Sequence, residues 1–235
     1  MRTIIIGDIH GCSRALDVLL ARINPVPGKD KMIFLGDLFD RGPDSFGVLK
    51  RITLLAGKFG EDFILLLGNH EDYLLKPQLT KTQRMIWERV GRQATVSSFN
   101  NAGVHMEDSI PWLKEHVRLF WKTDGFQCVH AGLMLDPPEV NDLETMVHSH
   151  EIVQMNRYSG KLTITGHIAL DKATWFAGDG ETTEEYEDGV SFALPATGVI
   201  CIDTGCGKGG RLTAMTIEGK EFVLQSVPEI PYAPE

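Results

Sequence analysis

The chain has 235 residues, 43% of them apolar, with 23 basic and 32 acidic side chains and a formal charge of −9. That apolar fraction supports one sizeable core, while the acidic balance excludes a surface built to grip long nucleic acids, which needs clustered lysine and arginine. No apolar run approaches the roughly 20 residues of a membrane span, so neither a membrane nor a long nucleic acid is expected as a partner.

In the first half, short apolar runs alternate with helical patterns. Strands are expected at Thr3–Ile6, Lys31–Leu35 and Phe63–Leu67, followed by helices at Ser13–Ile23, around Ser45–Ala56 and from near Glu71. This β-α-β-α-β order implies parallel strands with helical crossovers. Thr80–Asn101 reads as one long helix, with few breakers and apolar Met85, Ile86, Val90 and Phe99. In the second half, strand candidates follow at Arg118–Trp121, Phe126–Val129, Leu162–Thr165, Ala173–Phe176, Val199–Ile202, Leu212–Ile217 and Glu221–Gln225. Turn signals at Asp124–Gly125 and Glu218–Lys220 suggest antiparallel pairing there. The expected fold is mixed α/β: a single domain over residues 1–235, built as a two-sheet mixed β-sandwich flanked by helices, with cover segments around 79–121 and 136–157. Asp179–Asp188 carries six acids and no base, which reads as a solvated loop.

Cys12, Cys128, Cys201 and Cys206 form no C-x-x-C pair, and the apolar run in "MRTIIIGDIHG" is far too short for a secretory segment. A cytoplasmic protein with reduced thiols is expected.

The chemistry lies just beyond the buried strands. After Ile4–Ile6 comes "GDIHG" (7–11), after Ile33–Leu35 "GDLFDRG" (36–42), after Ile64–Leu67 "GNHE" (68–71), after Gln127–Val129 "HAG" (130–132) and after Thr163–Thr165 "GH" (166–167). Each places His, Asp or Asn beside a glycine at a strand end, where α/β proteins build ligand sites. Asp8 and His10 are alternate residues, so an extended backbone points both the same way. With Asp37, Asn69, His130 and His167 they make six nitrogen and oxygen donors and no thiolate. That is too many for one tetrahedral zinc site and suits two borderline divalent ions such as Mn²⁺, Fe²⁺ or Zn²⁺. Two such ions with two aspartates form a cluster near about +2, able to attract a phosphate dianion and to acidify a water shared between ions roughly 3.5–4 Å apart. Taken singly, each residue has a plainer reading as a turn, a cap or a packed histidine. Five short motifs in one strand-end context do not.

These motifs resemble, in order, the signatures of the phosphoprotein phosphatase family of calcineurin-like metallophosphoesterases. Its members include protein Ser/Thr phosphatases and the symmetrical diadenosine tetraphosphatases of bacteria. The resemblance runs from residue 3 to about 218, including "CIDTGCGKGGRLTAMTI" (201–217). It implies that Asp8, His10 and Asp37 hold one ion, and that Asp37 bridges to a second held by Asn69, His130 and His167. It makes His70 the general acid, oriented by Asp40, and Arg41 a phosphate clamp. Arg157 in "MNRYSG" is a candidate second phosphate-binding arginine, although Met155 stands where the family usually has a tryptophan. The family also commonly has threonine after the last histidine, where this chain has Ile168.

The activity implied is phosphomonoester hydrolysis by a metal-bridging hydroxide, with manganese first among the ions. A protein Ser/Thr phosphatase comes first and a diadenosine tetraphosphatase is the alternative. The substrate would be a phosphorylated protein or peptide, or a small phosphoester or nucleotide. The metal ligands are common to both, so only the covering loops Leu79–Trp121, Asp136–Arg157 and Phe176–Ala196 discriminate, and the compact chain leans mildly toward the phosphatase. A non-catalytic scaffold would not need all six ligands together with His70, Asp40 and Arg41.

Other features carry plainer readings. "HSH" (148–150) reads as a polar helix start or exposed turn, and Trp87, beside Arg84, Arg89 and Arg92, as core rather than a nucleotide stack. "GCGKGG" (205–210) lacks the P-loop spacing and reads as a tight turn, and Cys206 stands near the site.

Overall fold

The computed structural model describes residues 1–232. In chain order the first half runs β1 (Arg2–Ile6), α1 (Ser13–Ile23), β2 (Asp30–Phe34), α2 (Ser45–Phe59), β3 (Phe63–Leu66), α3 (Asn69–Leu75), α4 (Lys81–Arg89), α5 (Arg92–Asn101) and α6 (Ile110–His116). Then come β4 (Val117–Arg118), β5 (Phe120–Lys122), β6 (Gln127–Val129), α7 (Leu143–His148), α8 (Glu151–Met155), β7 (Thr163–Thr165), β8 (Thr174–Phe176), β9 (Thr183–Glu185), β10 (Ser191–Ala193), β11 (Val199–Cys201), β12 (Arg211–Glu218) and β13 (Glu221–Pro228). One sheet orders its strands β10-β13-β12-β1-β2-β3-β4 and the other β5-β6-β7-β11-β8-β9.

The continuous apolar runs are explained by burial on both faces. Ile4 and Ile6 face α1 and α2, while Ile5 between them faces the second sheet and meets Ile164 and Ile200 in one cluster. Period two sends neighbouring side chains to opposite faces, so only an unbroken apolar stretch suits such a strand. A third cluster joins Val129, Val199 and Cys201 to Val147 and Ile152 of α7 and α8. The mixed sandwich flanked by helices is the architecture expected from the sequence.

Four local expectations are corrected. Thr80–Asn101 is two helices, because Gly91 at φ +112° breaks the run where the chain passes Arg41; a Cβ there would lie 2.5 Å from the Arg41 nitrogen. Arg118–Trp121 is split at Leu119: β4 pairs with β3, whereas β5 pairs with β6 in the other sheet. The second half is not all antiparallel, since β6–β7 and β7–β11 run parallel. The α7–α8 segment carries the chain back between β6 and β7, as a parallel crossover must. Finally, the acidic segment holds β9, paired to β8, and buries Tyr186, so it is only partly a loop.

Candidate metal centre

Register brings the strand ends together. Ile6, Phe34 and Leu65 are neighbours across parallel β1, β2 and β3, so the segments bearing Asp8, Asp37 and Asn69 leave the sheet at one edge. Cys128 pairs with Ile164 in parallel β6 and β7, which brings His130 and His167 out side by side. The loops are then knitted: Ile9 and His10 N–H donate to the Asp37 carbonyl at 3.0 and 2.9 Å, and Gly11 N–H to that of Leu38 at 2.8 Å. Among the described residues seven non-glycine ones have positive φ, and five of them are His10, Asp37, Asp40, Arg41 and His167. Such conformations are costly and persist where the surroundings over-determine them, commonly at functional sites. Gly166 meets a different demand, since a Cβ there would lie 2.0 Å from Asp8 Oδ1.

All six expected ligands converge. His10 Nδ1–H donates to the Phe39 carbonyl and His130 Nδ1–H to that of Leu35, both at 2.8 Å. Each Nε2 lone pair is therefore turned inward. His10 Nε2 lies 3.5 Å from Asp37 Oδ2 and 3.9 Å from Asp8 Oδ2. His130 Nε2 lies 3.5 Å from Asp37 Oδ1 and 3.1 Å from Asn69 Oδ1, which also meets His167 Nδ1 at 2.9 Å. Lone pairs face lone pairs, and the buried Asp8 Oδ1 and His167 Nε2 have no hydrogen-bond partner. That donor set fits cations. Among the described residues two groups of donor atoms within 4.8 Å of one another could hold ions, His10–Asp37–His70 and Asp37–His130–His167, and Asp37 belongs to both.

The electrostatics agree. Burial, with Asp203 and Asp37 nearby, pushes the Asp8 carboxyl well up. Burial, then His70, pushes the His10 imidazole well down. Burial and His130 bring His167 down to about 2, keeping that imidazole neutral. Burial also works against the charge of Asp37, but His130, His70 and His10 hold its carboxyl below the ordinary range.

Beside the ligands, His70 Nδ1 lies 2.6 Å from Asp40 Oδ2, and its Nε2 points in, 3.8 Å from Asp37 Oδ2. The Arg41 guanidinium donates to His10 Nε2. Arg157 is exposed and lines a cavity of about 240 Å³ with Leu133, Met134, Ile152 and Tyr158. Among the described residues no hydrogen bond or ion pair joins it to the six ligands. Ile168, in the threonine position of the family motif, packs on the third apolar cluster instead.

Several residues escaped the sequence reading. Glu71 is fully buried and accepts N–H groups of Asp37, Leu38 and Phe39 at 2.8, 2.9 and 3.3 Å, anchoring the "GDLFD" turn. Burial and Asp37 push its carboxyl up to about 8. Thr95 accepts the Asp40 N–H at 2.8 Å and donates its hydroxyl to Asp40 Oδ1 at 2.6 Å. Trp87 is core, as expected, but its indole N–H also donates to Asp40 Oδ2 at 2.7 Å. Asp203 follows β11 in "IDTG", a sixth strand end in the same vocabulary, and its buried Oδ2 has no partner. "HSH" is no free turn: His148 lies 2.7 Å from Asp72 Oδ2, and the His150 ring centroid is 4.5 Å from that of His167. "GCGKGG" does turn tightly, with Gly207 and Gly209 N–H donating to Glu229 Oε2 at 3.1 and 2.8 Å.

The model of the calcineurin-like phosphoesterases matches residues 1–202. The chain belongs to this family. It is 27% identical to the symmetrical bis(5'-nucleosyl)-tetraphosphatase of Shigella dysenteriae, over 96% of this chain and 94% of that one. The fold is shared with a metallophosphoesterase from Sphaerobacter thermophilus, at TM-score 0.66 and 16% identity over 97% of this chain and 88% of that one. It is shared also with a protein serine/threonine phosphatase from Saccharomyces cerevisiae, at TM-score 0.58 and 14% identity over 100% of this chain and 82% of that one. This calcineurin-like phosphoesterase is a metal-dependent hydrolase of phosphate esters. No helix among the described residues is long and apolar enough to cross a membrane.

Proposed function

We propose that this phosphoesterase cleaves dinucleoside polyphosphates, in the manner of a symmetrical tetraphosphatase. The observation that supports this most is the end-to-end similarity to a tetraphosphatase, over 96% of the chain. That span takes in the cover segments, where substrate class is decided. The phosphoprotein reading, put first on the sequence, has behind it only a common fold, at 14% identity to a protein serine/threonine phosphatase and 16% to a cold-active protein tyrosine phosphatase. The order of the two is therefore reversed.

On this reading Asp8, His10 and Asp37 hold one divalent ion, and Asp37, Asn69, His130 and His167 a second, with manganese the first choice. Such ions, when bound, neutralise phosphate oxygens and lower the pKa of a water for attack on phosphorus. His70 Nε2 gives a proton to the departing oxygen. Asp40 holds the opposite edge of that ring, fixing its tautomer and favouring its charged form. Trp87 and Thr95 hold Asp40 in turn. Arg41 offers a planar fork to phosphate oxygens. Arg157, on the rim of its own cavity, is a weaker second clamp. Four free, buried cysteines suit a reducing compartment such as the cytoplasm.

The test is a direct comparison of diadenosine tetraphosphate with a phosphoserine peptide, using one Mn²⁺-loaded sample. Faster cleavage of the dinucleotide, with ADP as the sole nucleotide product, is expected. A preference for the peptide, or release of ATP with AMP, would return the protein to the phosphatase reading or to asymmetric cleavage.

A further inference from the structure

We propose that Asp203 belongs to the metal centre as its third carboxylate, serving the ion held by Asp8, His10 and Asp37; the inference rests on the two-ion reading above. On that reading the donors are unevenly shared. The second ion has Asp37, Asn69, His130 and His167, whereas the first has only three residues.

The fold puts Asp203 on the short side. Parallel β11 and β7 pair Cys201 with Thr165, so Asp203 and His167 each stand two residues past a matched pair. The backbone keeps them level: Ile202 N–H donates to the Thr165 carbonyl at 2.9 Å, and Leu170 N–H to that of Asp203 at 3.0 Å. On the other flank β1 closes in, since a Cβ on Gly7 would lie 3.0 Å from the Ile202 carbonyl oxygen. Asp8 and Asp203 therefore follow residues that are neighbours in space. Asp8 is tied to the same corner, its Oδ2 accepting the His167 N–H at 3.0 Å. After burial, the strongest push on the Asp8 carboxyl comes from Asp203, ahead of Asp37.

The local fold alone does not account for a carboxylate here. Asp203 is 2% exposed, and its Oδ1 accepts the Gly205 N–H at 2.9 Å. Among the described residues no hydrogen bond reaches its Oδ2, and the same holds for the buried Asp8 Oδ1. The Gly205 turn needs only Oδ1, which asparagine would supply without charge. A buried carboxylate left without a partner is costly, and two in one corner more so, whereas a divalent cation satisfies both. A third carboxylate brings the pair of ions with their aspartates to about +1. It also adds a hard oxygen, which favours Mn²⁺ over Zn²⁺.

The experiment compares wild type, Asp203→Asn and Asp203→Ser; both replacements can keep the Gly205 bond. Mn²⁺ binding is followed by titration calorimetry, and Tm is taken in EDTA and in Mn²⁺. The wild type should bind two Mn²⁺. In both variants one of them should weaken about 10- to 100-fold, the range for lost support around a metal, while the other holds. Asn69→Ala should weaken the opposite ion, so that combined with Asp203→Asn it weakens both. In EDTA the Tm of Asp203→Asn should equal or exceed that of the wild type, because a neutral amide removes repulsion from Asp8. Its rise with Mn²⁺ should be smaller. Two Mn²⁺ bound with wild-type affinity overturn the proposal. So does an effect confined to the ion that Asn69→Ala already weakens. A Tm lowered equally in EDTA and in Mn²⁺ overturns it too, making Asp203 only a cap for the turn. A wild type that binds fewer than two Mn²⁺ sinks the two-ion reading itself, and this inference with it.

Discussion

The indole N–H of Trp87 donates to Asp40 Oδ2 at 2.7 Å, and the same oxygen meets His70 Nδ1 at 2.6 Å. A helix of the cover segment therefore steadies the carboxylate that steadies the proton donor. Trp87→Phe keeps most of the ring and deletes the N–H. Charge-assisted hydrogen bonds are worth about 1.5–3 kcal/mol, so kcat should fall by roughly 10- to 100-fold. Metal content, read by atomic emission, should stay as in the wild type; a loss of metal with kcat intact would contradict the role given to Trp87.

His70→Asn removes the proton donor and leaves the six expected ligands in place. General acid catalysis contributes typically about 10²–10⁴-fold, and that loss is expected on alkyl phosphates such as phosphoserine, whose alkoxide leaves only with a proton. On p-nitrophenyl phosphate, whose leaving group needs less help from a proton, the loss should be much smaller. Equal losses on good and poor leaving groups would remove His70 from the acid role.

Asp37 belongs to both donor groups. Asp37→Asn should lower bound Mn²⁺ at both positions and abolish hydrolysis, whereas Asn69→Ala should weaken only the His130–His167 side. Because ions that bind the folded chain stabilise it by mass action, Mn²⁺ should raise the Tm of the wild type and EDTA should reverse the rise. A Tm indifferent to Mn²⁺, with hydrolysis persisting after exhaustive chelation, would defeat the metal assignment.

Gly91→Ala tests the joint between α4 and α5. At φ +112°, with a Cβ 2.5 Å from the Arg41 nitrogen, alanine fits neither the backbone nor the space. A cost of about 1–3 kcal/mol in stability is expected, together with weaker vanadate inhibition as Arg41 is displaced. Thermal melts and vanadate titration of the purified variant check both effects. Wild-type values in both would show that the joint is slack.

Much of the donor set was legible because the physics there is local. An apolar strand, a glycine and a metal-binding side chain are adjacent in sequence, so Asp8, Asp37, Asn69, His130 and His167 announce themselves. Asp203 obeys the same rule and was legible in principle. Glu71, Thr95 and the second role of Trp87 were not, because each acts on residues about 30 to 55 positions away through one to three hydrogen bonds. The break at Gly91 was hidden for the same reason: a lone glycine in a helical run signals a turn only once the neighbouring Arg41 backbone is known. In the β-rich half, hairpin signals marked β12–β13 correctly but carried no information about β6, β7 and β11, whose parallel pairing depends on distant crossovers.

The position of β1 has a consequence for the order in which the protein can be made. This strand carries Asp8 and His10 beyond its end, and its two neighbours are β2, synthesised soon after it, and β12, synthesised after all six expected ligands. Thr3 faces Ile217 across that late seam. A nascent chain therefore keeps Asp8 and His10 beside an unsealed edge until the β12–β13 hairpin docks.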